Sequence, residues 1–184
     1  MKLKLKKQIP NILTVSRIIA IPLILVAFYF QTQAWHIVAA GIFLIASITD
    51  FFDGYLARVW KIQSKLGRFL DPIADKLLVG ASIIVLVRFG YADLIPAVAI
   101  ICREILVSGL REFLAELKIS VPVTSLAKIK TGMQMTALFL LLLGNKGSGI
   151  EYTEILGSIL LWVAAGITLF TGYVYLRAGL KHMD

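Results

Sequence analysis

The sequence predicts an all-α integral membrane protein, a bundle of six transmembrane helices with a polar cavity open to the cytosol, and three observations carry that expectation. The chain is too apolar for a water-facing surface: 59% of its 184 residues are hydrophobic, against about 45–50% in a soluble domain, and the mean hydropathy is +0.86. The apolar residues fall in long runs at 10–30, 34–58, 71–90, 93–116, 126–143 and 153–178. The charges inside those runs gather toward one end of the bundle. A span needs about 20 residues, so the length suits a single membrane domain over 1–184.

The first run follows a basic start, "KLKLKK", and with its apolar stretch at 18–30 and the "TQA" at 32–34 it imitates a secretory signal and its cleavage site. Asn11, Thr14 and Arg17 lie inside the first span, 10–30, rather than ahead of it, so we read a retained first helix. The second run ends among acids. The third opens on Asp71-Pro72, where proline suits the first helical position and Asp71 the cap. Gly90, the "ISVP" at 119–122 and the "GNKGSG" at 144–149 are expected turns. The lone Cys102 excludes an intrachain disulfide.

Charge placement orients the bundle. With six spans both termini share a side, which carries Lys2, Lys4, Lys6, Lys7, Lys61, Lys65 and Arg68 of a 59–70 loop, Lys118, Arg177 and Lys181. The opposite side has Arg88 and Lys146, so the rich side is expected to be cytoplasmic. The net charge of +8 suits an anionic leaflet, and the basic start reads as a lipid-surface tether. It lacks the interleaved aromatics of a nucleic-acid site, and no nucleic-acid partner is expected.

Arg17, Asp50, Asp53, Arg58, Asp71, Asp75, Lys76, Arg103, Glu104, Arg111, Glu112, Lys128 and Lys130 all fall in the cytoplasmic halves of their spans. An ionised side chain in hydrocarbon costs at least about 2.5–3.5 kcal/mol. So many must share a wet cavity and compensate one another.

At about 100° per residue, Asp50, Asp53, Gly54 and Ala57 share one face of the second helix, with Arg58 at its edge. Gly67, Asp71 and Asp75 make a stripe on the third. Two such faces meeting across a short connection bring four carboxylates together, which cannot all stay ionised without cations. Hard oxygen clusters suit Mg²⁺, Mn²⁺ or Ca²⁺, and a pair of dications is the usual device for phosphoryl transfer. The alternative is a set of structural ion pairs with Arg58, Lys76 and Arg103, with Gly54 and Ala57 as helix contacts.

The pattern Asp50-x-x-Asp53-Gly54-x-x-Ala57-Arg58, continued by Gly67-x-x-x-Asp71-x-x-x-Asp75, resembles the signature of the CDP-alcohol phosphotransferase family without departure. The resemblance implies a six-helix bundle with its site facing the cytosol. Asp50, Asp53 and Asp71 would then hold two divalent ions, Mg²⁺ or Mn²⁺, with Asp75 near them as general base. Gly54, Ala57, Arg58 and Gly67 would border the cytidine nucleotide and its diphosphate.

Within the family, "IPNILTVSRIIAIP", "SITDFFDGYLAR", "GRFLDPIADKLLV", "REILVSGLRE" and "KIKT" are similar to members whose substrates are CDP-diacylglycerol and sn-glycerol 3-phosphate. The acceptor hydroxyl would attack the phosphorus bearing diacylglycerol and release CMP. Serine, inositol phosphate and phosphatidylglycerol are the acceptors of relatives. Arg103, Arg111, Lys128 and Lys130 would take the acceptor's phosphate, a need that argues against serine. Interfacial snorkelling of Lys128 and an Arg103–Glu104 ion pair are the competing readings. The resemblance also implies a homodimer in a bacterial cytoplasmic membrane.

His36 and His182 are read as surface residues, and Trp35, Trp162 and Tyr173 as bilayer contacts or packing. Two other functions fit intramembrane acids. A cation or proton-coupled transporter would carry charges through both membrane halves, and here the far half is nearly bare. A membrane prenyltransferase would place its acidic pairs on separate helices of a longer bundle.

Overall fold

The computed structural model describes residues 2–60, 65–117 and 125–180; the side chains at 2–12, 51–60, 65–66, 68–69, 125, 178 and 180 lie outside the described residues. The described chain forms six helices: α1 (Lys2–Tyr29), α2 (Gln33–Trp60), α3 (Lys65–Arg88), α4 (Leu94–Glu116), α5 (Ser125–Ser148) and α6 (Thr153–Leu180). Each covers one of the expected apolar runs. The "ISVP" turn, Lys61, Lys118, Lys181 and His182 fall outside the described residues.

Three of the helices contain stretches long and apolar enough to cross a membrane, Gln33–Asp50, Leu126–Ser148 and Thr153–Arg177. A shorter apolar run, Leu13–Tyr29, lies in α1. In α3 and α4 the charged residues Asp71, Asp75 and Lys76, and Arg103, Glu104, Arg111 and Glu112, interrupt the hydrocarbon pattern. Ile45, Ile84, Ile95, Ile105, Ile159 and Phe170 stand exposed on the outer surface. An apolar surface on this scale suits lipid rather than water.

Helix α1 packs on α2 and α3, α5 on α2 and α6, and α4 on α6, while α3 also touches α4 and α5. The core between them is built from Ile24 and Phe28 of α1, Phe43 of α2, Leu86 of α3 and Leu138 and Leu141 of α5. Asp93 begins α4 with an extended backbone (φ −73, ψ 146). Its carboxylate accepts a hydrogen bond from the Trp162 indole at 2.8 Å, tying the start of α4 to α6.

Three local features differ from the sequence expectation. Pro72 does not open α3, which starts at Lys65, so the proline lies inside the helix. Its ring removes one ladder hydrogen bond, a loss that membrane helices tolerate when neighbouring groups satisfy the freed carbonyl. For the same reason Lys65 and Arg68 belong to helix rather than to a 59–70 loop. The third feature is His36, read as a surface residue and found fully buried.

The physical reason for that burial lies in the expected "GNKGSG" turn. Gly144 adopts φ 61, ψ 177 and interrupts the α5 ladder, which leaves helical groups in need of partners. The His36 Nδ1–H donates to the Leu142 carbonyl at 2.9 Å. The Asn145 and Glu154 side chains each accept from the other's backbone N–H, at 3.0 and 2.8 Å. Phe28 packs edge-on to His36 with ring centroids 4.7 Å apart. Trp35 stacks on Phe30 and, like Trp162 and Tyr173, remains exposed.

Close approach of α6 to α5 depends on Gly157, where an added Cβ would lie 2.8 Å from Leu141 Cγ. Gly157→Val should therefore force the two helices apart and destabilise the bundle by about 1–3 kcal/mol. A lowered thermal midpoint of the detergent-solubilised protein is the expected reading.

Candidate active site

Helix α1 carries Thr14 and Arg17 three residues apart, hence on one face. Asp50 comes from α2, and Asp71 and Asp75 lie one turn apart on α3. These residues meet. Arg17 Nη2 lies 2.5 Å from Asp50 Oδ1, and Arg17 Nη1 donates to Asp75 Oδ1 at 3.2 Å. The Thr14 hydroxyl donates to Asp71 Oδ1 at 2.5 Å. One short segment of α1 thus holds acids from both neighbouring helices.

Burial is graded across this junction. The Arg17 side chain is 0% exposed, while those of Asp50 and Asp75 are 32% and 48% exposed. The guanidinium forms the floor and the carboxylates form an open rim. A charge so buried is tolerable only with counter-ions in hydrogen-bonding contact. In exchange the planar, delocalised fork fixes the orientation of two carboxylates that would otherwise repel. The sequence shows Arg17 at the depth of the acids, but not that it is the cation meeting them; a pairing of residues so far apart in the chain has no local signal.

Of the cations named as alternative partners for the acids, Lys76 donates instead to the Ser108 hydroxyl on α4. Arg103 Nη1 donates to Glu104 Oε1 at 3.2 Å, and Lys130 donates to the same oxygen. Arg103 Nη2 reaches Thr171 Oγ1 on α6 at 3.2 Å. This second cluster joins α4, α5 and α6, and Lys130 in it is only 3% exposed. Lys128 and Arg111 are exposed and do not join it among the described residues. Gly67 is buried one turn before Asp71.

Asp53, Gly54, Ala57 and Arg58 lie on the final turns of α2, and the placement of their side chains is outside the described residues. Sequence reasoning passed over Ser108 and Thr171. Ser108 could have been found at one turn from Glu104 on the same face of α4; Thr171 stands in an apolar helix with nothing to mark it.

The donor chemistry suits hard cations. Asp50, Asp71 and Asp75 are oxygen donors brought to one junction from two helices, two of them on a rim that a solvated ion can reach. Among the described residues alone, no three acidic, cysteine or histidine side chains gather closely enough to cage an ion. Asp53 would have to complete the set.

A family model, CDP-alcohol phosphatidyltransferase, matches residues 7–170. A Rickettsia felis protein named CDP-diacylglycerol--glycerol-3-phosphate 3-phosphatidyltransferase is 52% identical over 180 residues, covering 98% of this chain and 99% of its own length. A Rickettsia prowazekii protein of the same name is 52% identical, with 96% and 97% covered. One from Haemophilus influenzae is 41% identical, with 94% of each chain covered.

The geometry around Arg17 makes a direct prediction. Arg17→Met removes the cation between two acids that remain partly solvated, so it should cost about 1–3 kcal/mol of stability, read as a lower thermal midpoint, together with most of the turnover. Arg17→Lys keeps the charge but cannot fork between two carboxylates, so it should recover only part of either.

Proposed function

This chain belongs to the CDP-alcohol phosphatidyltransferase family, and we propose that it transfers the phosphatidyl group of CDP-diacylglycerol to sn-glycerol 3-phosphate, giving phosphatidylglycerophosphate and CMP. The observation that carries this reading is the convergence of Asp50 and Asp75 on Arg17, with Asp71 held alongside by Thr14. The names of the relatives, at up to 98% coverage of this chain, supply the choice of acceptor.

Family members are generally divalent-metal dependent. In this chain Asp50, Asp53, Asp71 and Asp75 would hold two ions, Mg²⁺ or Mn²⁺. When bound, such ions supply positive charge that offsets the charge of the diphosphate.

The remaining work falls to the chain's own groups. Asp75 is half exposed and its carboxylate is oriented by Arg17. On this reading it accepts the proton of the acceptor hydroxyl, and its exposure and its contact with Arg17 support that role. That hydroxyl attacks the phosphorus bearing diacylglycerol in line with the departing CMP. Gly54, Ala57, Arg58 and Gly67 border the cytidine nucleotide on this reading. Arg103 and Lys130, with Arg111 and Lys128 nearer the entrance, receive the acceptor's phosphate.

Residues 1–184 form one membrane domain with all six helices spanning. The polar junctions lie toward the end shared by the starts of α1, α3 and α5 and the ends of α2, α4 and α6. The basic residues at that end support placing it, with both termini, in the cytosol. The protein is a homodimer on this reading, as the family resemblance implies.

Purified protein incubated with CDP-diacylglycerol, Mg²⁺ and each candidate alcohol in turn tests the reaction and the acceptor together. Phosphatidylglycerophosphate and an equivalent of CMP should form with glycerol 3-phosphate, and Asp75→Asn should abolish this while still binding CDP-diacylglycerol. Preferential turnover of inositol phosphate, serine or phosphatidylglycerol would overturn the acceptor.

A further inference from the structure

The cluster of Arg103, Glu104, Lys130 and Thr171 contains more donors than its partners use. Lys130 has three N–H donors and is 3% exposed, and among the described residues its acceptor is Glu104. Arg103 places Nη1 on the same Glu104 oxygen and Nη2 on Thr171, while its Nε is buried with no partner among the described residues. Thr171 gives its own hydroxyl proton to the Ile167 carbonyl at 2.9 Å and so presents a lone pair to Arg103.

Helix α6 makes space for this arrangement. At Gly172 an added Cβ would lie 2.9 Å from Arg103 Cγ, so the arginine stem lies directly across the helix. Glu104 differs from its two cations in being more open: its side chain is 25% exposed, against 11% for Arg103 and 4% for Lys130. Of the three charged groups, the anion is the one nearest solvent.

We propose that Glu104 is an internal stand-in for the acceptor's phosphate, occupying Lys130 and Arg103 in the substrate-free enzyme and yielding them when the phosphate arrives. The proposal rests on the reading that Arg103 and Lys130 receive that phosphate. One carboxylate oxygen holds both cations together, which keeps two buried like charges from splaying apart. The incoming phosphate offers more oxygens and more charge than a carboxylate, so it satisfies the spare donors that Glu104 leaves. The phosphate of the acceptor remains on the product, so the same carboxylate also helps to displace product when it swings back. Glu104 is thus a positioning residue whose charge tunes how tightly phosphate is held.

The test compares Glu104→Gln with Lys130→Met. Glutamine keeps the shape but removes the competing charge, so KM for glycerol 3-phosphate should fall several-fold. Inorganic phosphate should become a correspondingly stronger inhibitor, and kcat should fall as product is retained. A carboxylate with a purely structural role would lower kcat without lowering KM. Lys130→Met should raise KM for glycerol 3-phosphate and leave that for CDP-diacylglycerol unchanged. If it does so while Glu104→Gln leaves KM unchanged or higher, the stand-in role is overturned and the phosphate site survives. If Lys130→Met leaves the acceptor KM unchanged, the phosphate site falls and the stand-in role with it. Should Glu104→Gln fail to fold, Glu104→Asp, one methylene too short to hold both cations, carries the same expectation at smaller amplitude.

Discussion

A guanidinium with no exposure to solvent is the constraint on which the rest of this molecule depends. Arg17 is followed in α1 by a stretch rich in isoleucine and leucine, and its buried charge is tolerable only against carboxylates that reach it. Asp50 and Asp75 do so from two different helices, which fixes the rotation of α2 and α3 about their axes relative to α1. Once those rotations are set, the acids face a common space and the apolar faces of the same helices turn outward to lipid. Folding and chemistry therefore make the same demand on one residue.

The bundle repeats this device in its other half. Glu104 holds Arg103 and Lys130, and through them α4, α5 and α6. Lys76, beside Asp75 in sequence, bridges to Ser108 one turn along α4 from Glu104, linking the two polar junctions. The first junction is rich in carboxylates around one cation and suits cationic or electrophilic partners. The second has two cations around one carboxylate and suits an anion. A reaction that moves a phosphatidyl group from a nucleoside diphosphate onto a phosphorylated alcohol, with CMP leaving, would use one site of each kind, side by side. At the other end of the bundle, polar groups such as His36, Asn145 and Glu154 are spent on the broken ladder at Gly144. They have a structural explanation there, which agrees with a chemistry confined to one end.

Much of this was legible in the sequence because hydrocarbon imposes coarse, local rules. Each of the six apolar runs became a helix, and Gly144 ended the regular part of α5 where the glycine-rich turn was expected. Periodicity alone aligned Asp71 with Asp75. What escaped was local boundaries and the specific partners of single side chains. Pro72 reads locally as a helix start, yet α3 begins a full turn and more before it. His36 reads as an interfacial residue beside Trp35, yet a carbonyl of α5 draws it inside. Arg17 and the acids were visible at one depth, but depth does not specify a pair. The same limit applied to Thr171, an unremarked hydroxyl until Arg103 was seen to lie across α6.

The claim that Arg17 and the acids form one energetic unit, rather than neighbours by accident of depth, is tested most directly by a double-mutant cycle. Stability would be measured for the wild type, Arg17→Met, Asp50→Asn and the pair combined. The account predicts that the second substitution costs far less once the first is made, with a coupling of about 2–3 kcal/mol, toward the upper end for contacting residues. Additive losses, with no coupling beyond about 0.5 kcal/mol, would contradict it.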